Sequence, residues 1–197
     1  MAVTMEAIKE LRALTGAGMM DVKKTLEETG GDIEQAAALL RERGIAKAAK
    51  KADREAKEGF VGSYVHHNGK IAVIVELNCE TDFVARNEQF QDLAKNIAIH
   101  IAMAAPQAVS REQLDPAVVE EEREALRAQA LEEGKPENIV DKMVEGRLGK
   151  FFAETVLLEQ PYVKDDKKTV EQLVKESIAT IGENIQIGAF HRIAIGE

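Results

Sequence analysis

The chain has 197 residues, 45% of them hydrophobic and 31% charged, which is enough apolar material for one domain or two small ones. Its 35 acidic and 26 basic side chains give a formal charge of −9, which argues against a protein whose main task is to grip a phosphate backbone. No apolar stretch approaches the ~18 residues of a membrane-spanning helix, and the N-terminus lacks the features of a signal peptide. A lone cysteine, Cys79, cannot close an intrachain disulfide. We therefore expect a cytoplasmic protein with no membrane or direct nucleic-acid contact.

The charge is unevenly distributed along the chain. Residues 1–57 carry 11 basic and 10 acidic side chains, a net charge of +1. Residues 58–197 carry 15 basic and 25 acidic side chains, a net charge of −10. This difference fits two parts with different partners.

The first 44 residues predict three short amphipathic helices. The first follows an N-cap at Thr4, carries apolar side chains at helical spacing and ends at Gly16. A loop over residues 16–20 leads to the second helix, over residues 21–29. The third helix ends at Gly44. Together they form a minimal bundle of modest stability.

Residues 45–58 are rich in alanine and charge, with almost no large apolar side chains. We interpret them as a charged, solvated helical linker. An arm that binds nucleic acid would carry denser positive charge and interleaved aromatic residues.

From residue 59 the pattern changes to the alternation that is typical of strands. Two apolar runs, residues 60–66 and 70–77, flank an Asn-Gly turn, which is a strong hairpin signal. Helices are then predicted over residues 88–104, 116–133, 136–159 and 170–181. Residues 184–195 alternate again and predict a third strand that returns to the hairpin. This order indicates an α+β domain with a three-stranded antiparallel sheet covered by helices.

No catalytic or metal-binding set of residues emerges from the sequence. His66 and His67 are neighbours on a strand, so they point to opposite faces and cannot chelate one ion together. His100 lies on an apolar helix without a second ligand one turn away. The charged run over residues 165–168 is interpreted as a solvated loop. Motifs for nucleotide-binding loops and hydrolase nucleophiles are missing, so we predict a protein that is not an enzyme and uses no metal or cofactor.

Two segments favour contact with a partner. In residues 81–84 an aromatic side chain stands beside a carboxylate between a strand and a helix, as in a wedge presented to another protein. From spacing alone, Phe83 could also fold back into the core. Met19 and Met20 lie between glycine-containing turns, where they either pack internally or offer an adaptable contact surface.

At both places the sequence resembles the family of bacterial elongation factor Ts, the nucleotide-exchange factor of elongation factor Tu. The first match is residues 11–26, LRALTGAGMMDVKKTL, which departs from the family only at Thr25, where alanine or valine is usual. The second is residues 76–86, ELNCETDFVAR, which fits the family signature throughout. The resemblance runs from the N-terminal bundle to the closing strand.

The resemblance implies a guanine nucleotide exchange factor that binds elongation factor Tu in its GDP-bound and nucleotide-free states. The bundle then corresponds to a ubiquitin-associated-like module that docks on the GTPase. Its implied contacts are Arg12, Met19, Met20, Val22 and Lys23. The segment implied to disturb the Mg²⁺ site of the GTPase consists of Thr81, Asp82, Phe83 and Val84.

The chain is short for this family. Longer members carry a second copy of the core and an inserted coiled coil, for which there is no room here. In short members a homodimer supplies the missing half, so the resemblance implies a dimer that holds two elongation factor Tu molecules. We thus predict a docking bundle over 1–44, a linker over 45–58 and a core and dimerisation domain over 59–197. The alternative is a non-enzymatic adaptor with an interaction bundle and an oligomerisation domain.

Overall fold

The computed structural model describes residues 3–134 and 136–197. Its helices are α1 (Met5–Thr15), α2 (Met19–Glu28), α3 (Ile33–Ala49), α4 (Asp82–Ala85), α5 (Glu88–Ala104), α6 (Pro116–Glu132), α7 (Glu137–Thr155) and α8 (Val170–Ile181). Its strands are β1 (Glu58–Val65), β2 (Ile71–Cys79), β3 (Pro161–Tyr162), β4 (Asp165–Thr169) and β5 (Gln186–Ala194). The predicted α+β class is confirmed. Within the described residues, no helix is both long enough and apolar enough to cross a membrane.

The chain forms two compact units. The first, called unit 1, contains the described residues up to Phe60 together with Leu77–Leu93 and Gln172–Gln186. The second, called unit 2, contains Val61–Glu76, Ala94–Glu171 and Ile187–Glu197. Each unit is therefore built from segments that lie far apart in the sequence.

In unit 1, α1, α2 and α3 form the predicted three-helix bundle. Thr4 caps α1 by accepting a hydrogen bond from Ala7 N at 3.2 Å, and Gly16 ends this helix in the left-handed conformation, at φ 65°. The bundle core consists of Ile8, Leu11, Val22, Leu26, Ala36 and Leu40. Because α2 begins at Met19, the predicted loop over residues 16–20 is too long, and both methionines open a helix.

The third helix does not end at Gly44, as predicted, but continues to Ala49. Gly44 is buried against α8, where an added Cβ would lie 3.1 Å from the Cβ of Ala179. The glycine thus permits the close approach of two helices rather than ending one. Of residues 45–58, for which a helical linker was predicted, residues 45–49 are helical and the helix does not continue beyond them. Residues 50–54 form turns before β1 begins.

The three-stranded antiparallel sheet has the strand order β1-β2-β5, so the returning third strand pairs with the second strand of the hairpin. The hairpin turn places Gly69 at φ 68°, a conformation that glycine adopts without strain. Helix α5 packs against β1 at Gly62. The approach is so close that a Cβ at Gly62 would lie 2.8 Å from the backbone of Ala94.

A second, two-stranded sheet replaces the solvated loop that the charged run predicted. In its antiparallel register Pro161 lies opposite Thr169 and Tyr162 lies opposite Asp165, with an irregularity between the two pairs. The run Asp165–Thr169 is therefore a strand. Its charged side chains gave no apolar alternation by which the sequence could reveal it.

Helices α6 and α7 form an antiparallel hairpin in unit 2. Its small core consists of Ala130, Val140, Val144 and Leu148. Ion pairs between the two helices join Arg123 to Glu145, Arg127 to Asp141 and Arg147 to Glu133. The first two pairs place basic side chains of α6 against acidic side chains of α7, and the third joins α7 to the residue that follows α6.

His100 is fully buried on α5, where both of its ring nitrogens form hydrogen bonds within the protein. Its Nδ1 accepts a hydrogen bond from Val163 N at 3.3 Å, so its Nε2 carries the proton and donates to Gln160 Oε1 at 2.9 Å. Burial lowers the pKa of His100, which keeps the ring neutral. Across the described residues, His, Cys, Asp and Glu side chains form no group of three or more that could hold a metal ion.

Candidate protein-binding site

The segment between β2 and α5 is an anchored turn that presents Phe83. Thr81 is the N-cap of α4, and its Oγ1 accepts a hydrogen bond from Val84 N at 3.4 Å. Ala85 is buried, whereas the side chain of Phe83 is 80% exposed. The structure thus decides between the two interpretations of Phe83, because this aromatic ring does not fold back into the core. We call residues 81–84 the Phe83 turn.

Two side chains, those of Glu183 and Cys79, hold the Phe83 turn in place by hydrogen bonds. Glu183 Oε2 accepts hydrogen bonds from the backbone N–H groups of Glu80 and Thr81, both at 3.0 Å, and Oε1 accepts one from Thr81 Oγ1 at 2.7 Å. Cys79 Sγ donates to the Thr81 carbonyl at 3.2 Å. Burial, and then the negative charge of Glu183, raise the pKa of Cys79, so the thiol keeps its proton and its donor role.

Asp82 stands beside Phe83 and is half-buried. Its carboxylate forms an ion pair with Arg86 at 3.1 Å, one turn further along. Ion pairs this exposed contribute only ~0–1 kcal/mol, so Asp82 can exchange Arg86 for a cation on another protein at little cost.

The residues implied on the bundle surround the junction of α1 and α2. Arg12 lies exposed in the last turn of α1, and Lys23 is exposed one turn into α2. Met19 is 47% exposed and Met20 is 78% exposed, so neither methionine is a core residue. Val22 differs from the other four, because it is 0% exposed and packs in the bundle core. It can support this surface from beneath but cannot touch a partner.

Helix α8 and the residues that follow it contact both the bundle and the Phe83 turn within unit 1. Toward the bundle, Ala179 faces Gly44, and a Cβ at Gly16 would lie 3.3 Å from Thr180 Cγ2. Toward the Phe83 turn, Glu183 follows the helix after Gly182 and makes the three hydrogen bonds described above. Glu183 was not predictable from the sequence, since an acidic residue after a helix end carries no local signal of a partner about 100 residues away.

The exposed aromatic ring, the exposed methionines and the charges beside them are the constituents of a protein-binding surface. The sequence model of the family described as Elongation factor TS matches residues 2–197. A relative named Elongation factor Ts from Nitratidesulfovibrio vulgaris (strain DSM 19637 / Miyazaki F) is 58% identical over 196 residues, covering 100% of this chain and 98% of the relative. A second relative of that name, from Geobacter metallireducens (strain ATCC 53774 / DSM 7210 / GS-15), is 59% identical over 197 residues, covering 100% and 91%. The chain belongs to the elongation factor Ts family.

Proposed function

We propose that the protein is a guanine nucleotide exchange factor in translation elongation. It binds GDP-bound elongation factor Tu, disturbs the Mg²⁺ site and promotes exchange of GDP for GTP. The observation that supports this best is Phe83, an exposed aromatic side chain on an anchored turn in a member of this family. In this proposal the protein acts in the cytoplasm as a binding protein, without a covalent step or a cofactor of its own.

The wedge mechanism follows from the coordination chemistry of magnesium. Mg²⁺ requires near-ideal octahedral geometry, so a small shift of the helices that support it is enough to remove ligands. Phe83 inserts between helices of the GTPase, with Asp82 beside it. Because the wedge acts next to the nucleotide site, it loosens GDP without competing for its pocket.

The energies indicate that Phe83 does not act alone. Burying one phenylalanine side chain contributes about 2 kcal/mol. Loosening a nucleotide ~10⁴-fold requires about 5.5 kcal/mol of difference between the two complexes. The remainder must come from other contacts that strengthen as GDP leaves, and Asp82 and Val84 are the nearest candidates. By linkage, GDP must weaken the binding of this protein by the same factor.

The proposal includes a homodimer that holds two elongation factor Tu molecules. Strands in unit 2 carry exposed apolar side chains that a monomer would leave in water, namely Val61, Val65, Ile74 and Ile193. Grouped exposed apolar residues of this kind mark interaction surfaces in soluble proteins. A second copy of the chain would remove them from water.

The test is stopped-flow release of fluorescent GDP from elongation factor Tu, measured across a range of concentrations of this protein. We expect Phe83→Ala to lower the maximal release rate about 30-fold, which corresponds to about 2 kcal/mol lost from the exchange step. Met20→Ala should mainly raise the half-saturating concentration, because its side chain serves docking. Met103→Ala is the matched control, since Met103 is exposed on α5 outside both surfaces.

The two parts of the proposal fail separately. If Phe83→Ala reduced the release rate and the affinity equally, the wedge mechanism would be wrong. If the unmodified protein did not accelerate GDP release at all, the exchange function would be wrong and the adaptor alternative would remain.

A further inference from the structure

We propose that Glu183 and Asn184, which follow Gly182 at the end of α8, are positioning residues for nucleotide exchange. They fix the Phe83 turn relative to the three-helix bundle. This inference rests on the proposed exchange function and deepens it. It assigns a role to residues outside both sequence motifs and outside both exposed surfaces.

Glu183 holds the Phe83 turn at its first residue. Its carboxylate accepts from two successive backbone N–H groups, at Glu80 and Thr81, and from the Thr81 hydroxyl. A carboxylate has the acceptor capacity for all three donors, and such charge-assisted bonds are stronger than neutral ones. Since Thr81 caps α4, any displacement of Thr81 also moves Phe83.

Asn184 fastens the same turn to the segment that leaves the bundle. It is 1% exposed, and its backbone N–H donates to Glu80 Oε1 at 2.7 Å. Its Nδ2 donates to the carbonyls of Ala52 at 3.2 Å and Arg54 at 2.7 Å, shortly after α3 ends. Through its backbone and its side chain, the buried Asn184 therefore links residues that follow α3 to Glu80, which precedes the Phe83 turn.

Helix α8 completes the connection on the bundle side. Ala179 and Thr180 lie against the bundle at Gly44 and Gly16, and Arg41 Nε pairs with Glu176 Oε1 at 2.9 Å. The bundle contacts and the contacts with the Phe83 turn therefore lie within nine residues of one another, from Glu176 to Asn184, at the C-terminal end of α8 and just after it.

The charges around Glu183 are mixed, and its own hydrogen bonds all go to Glu80 and Thr81. The C-terminal end of a helix carries partial negative charge, which disfavours an anion such as Glu183. A cation suits this end, and Lys51 Nζ does donate to the Gly182 carbonyl. Glu80 adds a second carboxylate to the same junction, and Arg54 Nη1 pairs with its Oε1 at 3.5 Å. Glu183 itself makes its hydrogen bonds to Glu80 and to Thr81 of the Phe83 turn, so the specific product of these bonds is the placement of that turn.

The kinetic test uses the full chain and elongation factor Tu loaded with fluorescent GDP. We expect Glu183→Ala to lower the maximal release rate about tenfold while the half-saturating concentration changes less than about twofold. This split is characteristic of an interaction that matters only in the exchange step, since the docking surface is untouched. Glu133→Ala is the matched control, because it also removes a carboxylate that accepts two hydrogen bonds, from Arg147 in the α6–α7 hairpin.

A double-mutant cycle separates positioning from general destabilisation. If Glu183 acts through Phe83, then Glu183→Ala should have no further effect in a Phe83→Ala background. An equal loss in both backgrounds would overturn the proposal. Glu183→Gln keeps the size of the side chain and part of its acceptor capacity, so it should fold and show an intermediate rate. Asn184→Asp has the same size but cannot donate to the two carbonyls, and should also lower the maximal rate.

A measurement on the free protein distinguishes failure of this inference from failure of the proposed function. Hydrogen exchange at the amides of Glu80 and Thr81 should become at least about tenfold faster in Glu183→Ala, because these amides lose their acceptor. Unchanged protection would refute the positioning role whatever happens to GDP. If the unmodified protein failed to release GDP while these amides lost protection, the exchange function alone would be refuted.

Discussion

At single positions, exposure separates the residues that can touch a partner from those that support them. Phe83 and Met20 show most of their surface, whereas Val22, which lies in the same motif as Met20, shows none. A motif does not show which of its residues are buried and which are exposed. Helical spacing does, since Val22 and Leu26 are four residues apart and therefore share a face of the helix. That periodicity is the signal by which Val22 could have been assigned to the core.

His100 makes the stability of the fold depend on pH. Burial lowers its pKa from the ordinary value of 6.5, against a smaller opposing effect of the Gln160 hydrogen bond. As the pH falls through about 6.5, the unfolded chain binds a proton that the folded protein does not. The contribution of His100 is therefore complete above about pH 6.5 and is lost progressively below it, by at most ~1.4 kcal/mol per pH unit.

This pH dependence can be measured by urea unfolding at several pH values between 7.5 and 5. We expect the free energy of unfolding to fall more steeply in the unmodified protein than in His100→Gln, which lacks the titrating ring. Parallel curves for the two proteins would show that His100 titrates equally in the folded and unfolded states.

At the scale of elements, two glycines give opposite predictions for the same substitution. Gly62→Ala places a Cβ 2.8 Å from the backbone of Ala94, and backbone cannot move aside cheaply, so we expect a loss of about 1–3 kcal/mol. Gly146→Ala lies on an exposed part of α7 with nothing within 4 Å of the new Cβ. There the higher helix propensity of alanine should add up to about 1 kcal/mol. Urea unfolding of both variants is the measurement, and changes of the same sign would contradict the packing argument.

Most elements were predictable because their signals are local. Helix α5 has the predicted bounds, residues 88–104, since its apolar stripe and flanking polar residues lie within one segment. The end of α3 was not predictable, because Gly44 looks like a helix terminator until Ala179, 135 residues away, is brought against it. Strand β4 was missed for the same kind of reason. Its pairing partner, rather than its own sequence, makes it a strand.

The candidate site was predictable as a set of residues but not as a geometry. The Phe83 turn and the bundle surface both followed from motifs, yet spacing could not decide whether Phe83 was exposed. The roles of Glu183 and Asn184 could not be predicted from the sequence because their partners are more than 100 residues away. Long-range hydrogen bonds leave no periodic pattern in either of the segments that they join.

At the scale of the whole molecule, the exposed apolar residues on the strands of unit 2 predict self-association. We expect the protein to sediment with the mass of two chains, and Ile74→Glu to shift it toward one chain, because a carboxylate buried at an interface without a partner is strongly unfavourable. Leu131→Glu, on the α6–α7 hairpin, is the control and should leave the mass unchanged. A single-chain mass for the unmodified protein at all concentrations would rule out the dimer.

The thiol beneath the Phe83 turn is a built-in reporter of motion. Cys79 is the one cysteine of the chain and is fully buried, with its proton donated to the Thr81 carbonyl. A thiol-specific reagent can therefore react only in molecules whose strand end has momentarily come apart. The rate at which the reagent modifies Cys79 therefore reports how often this region opens, and no engineered probe is needed. Comparing the labelling rate of Cys79 in the free protein and in its complex would show whether the partner suppresses these openings or leaves them as frequent.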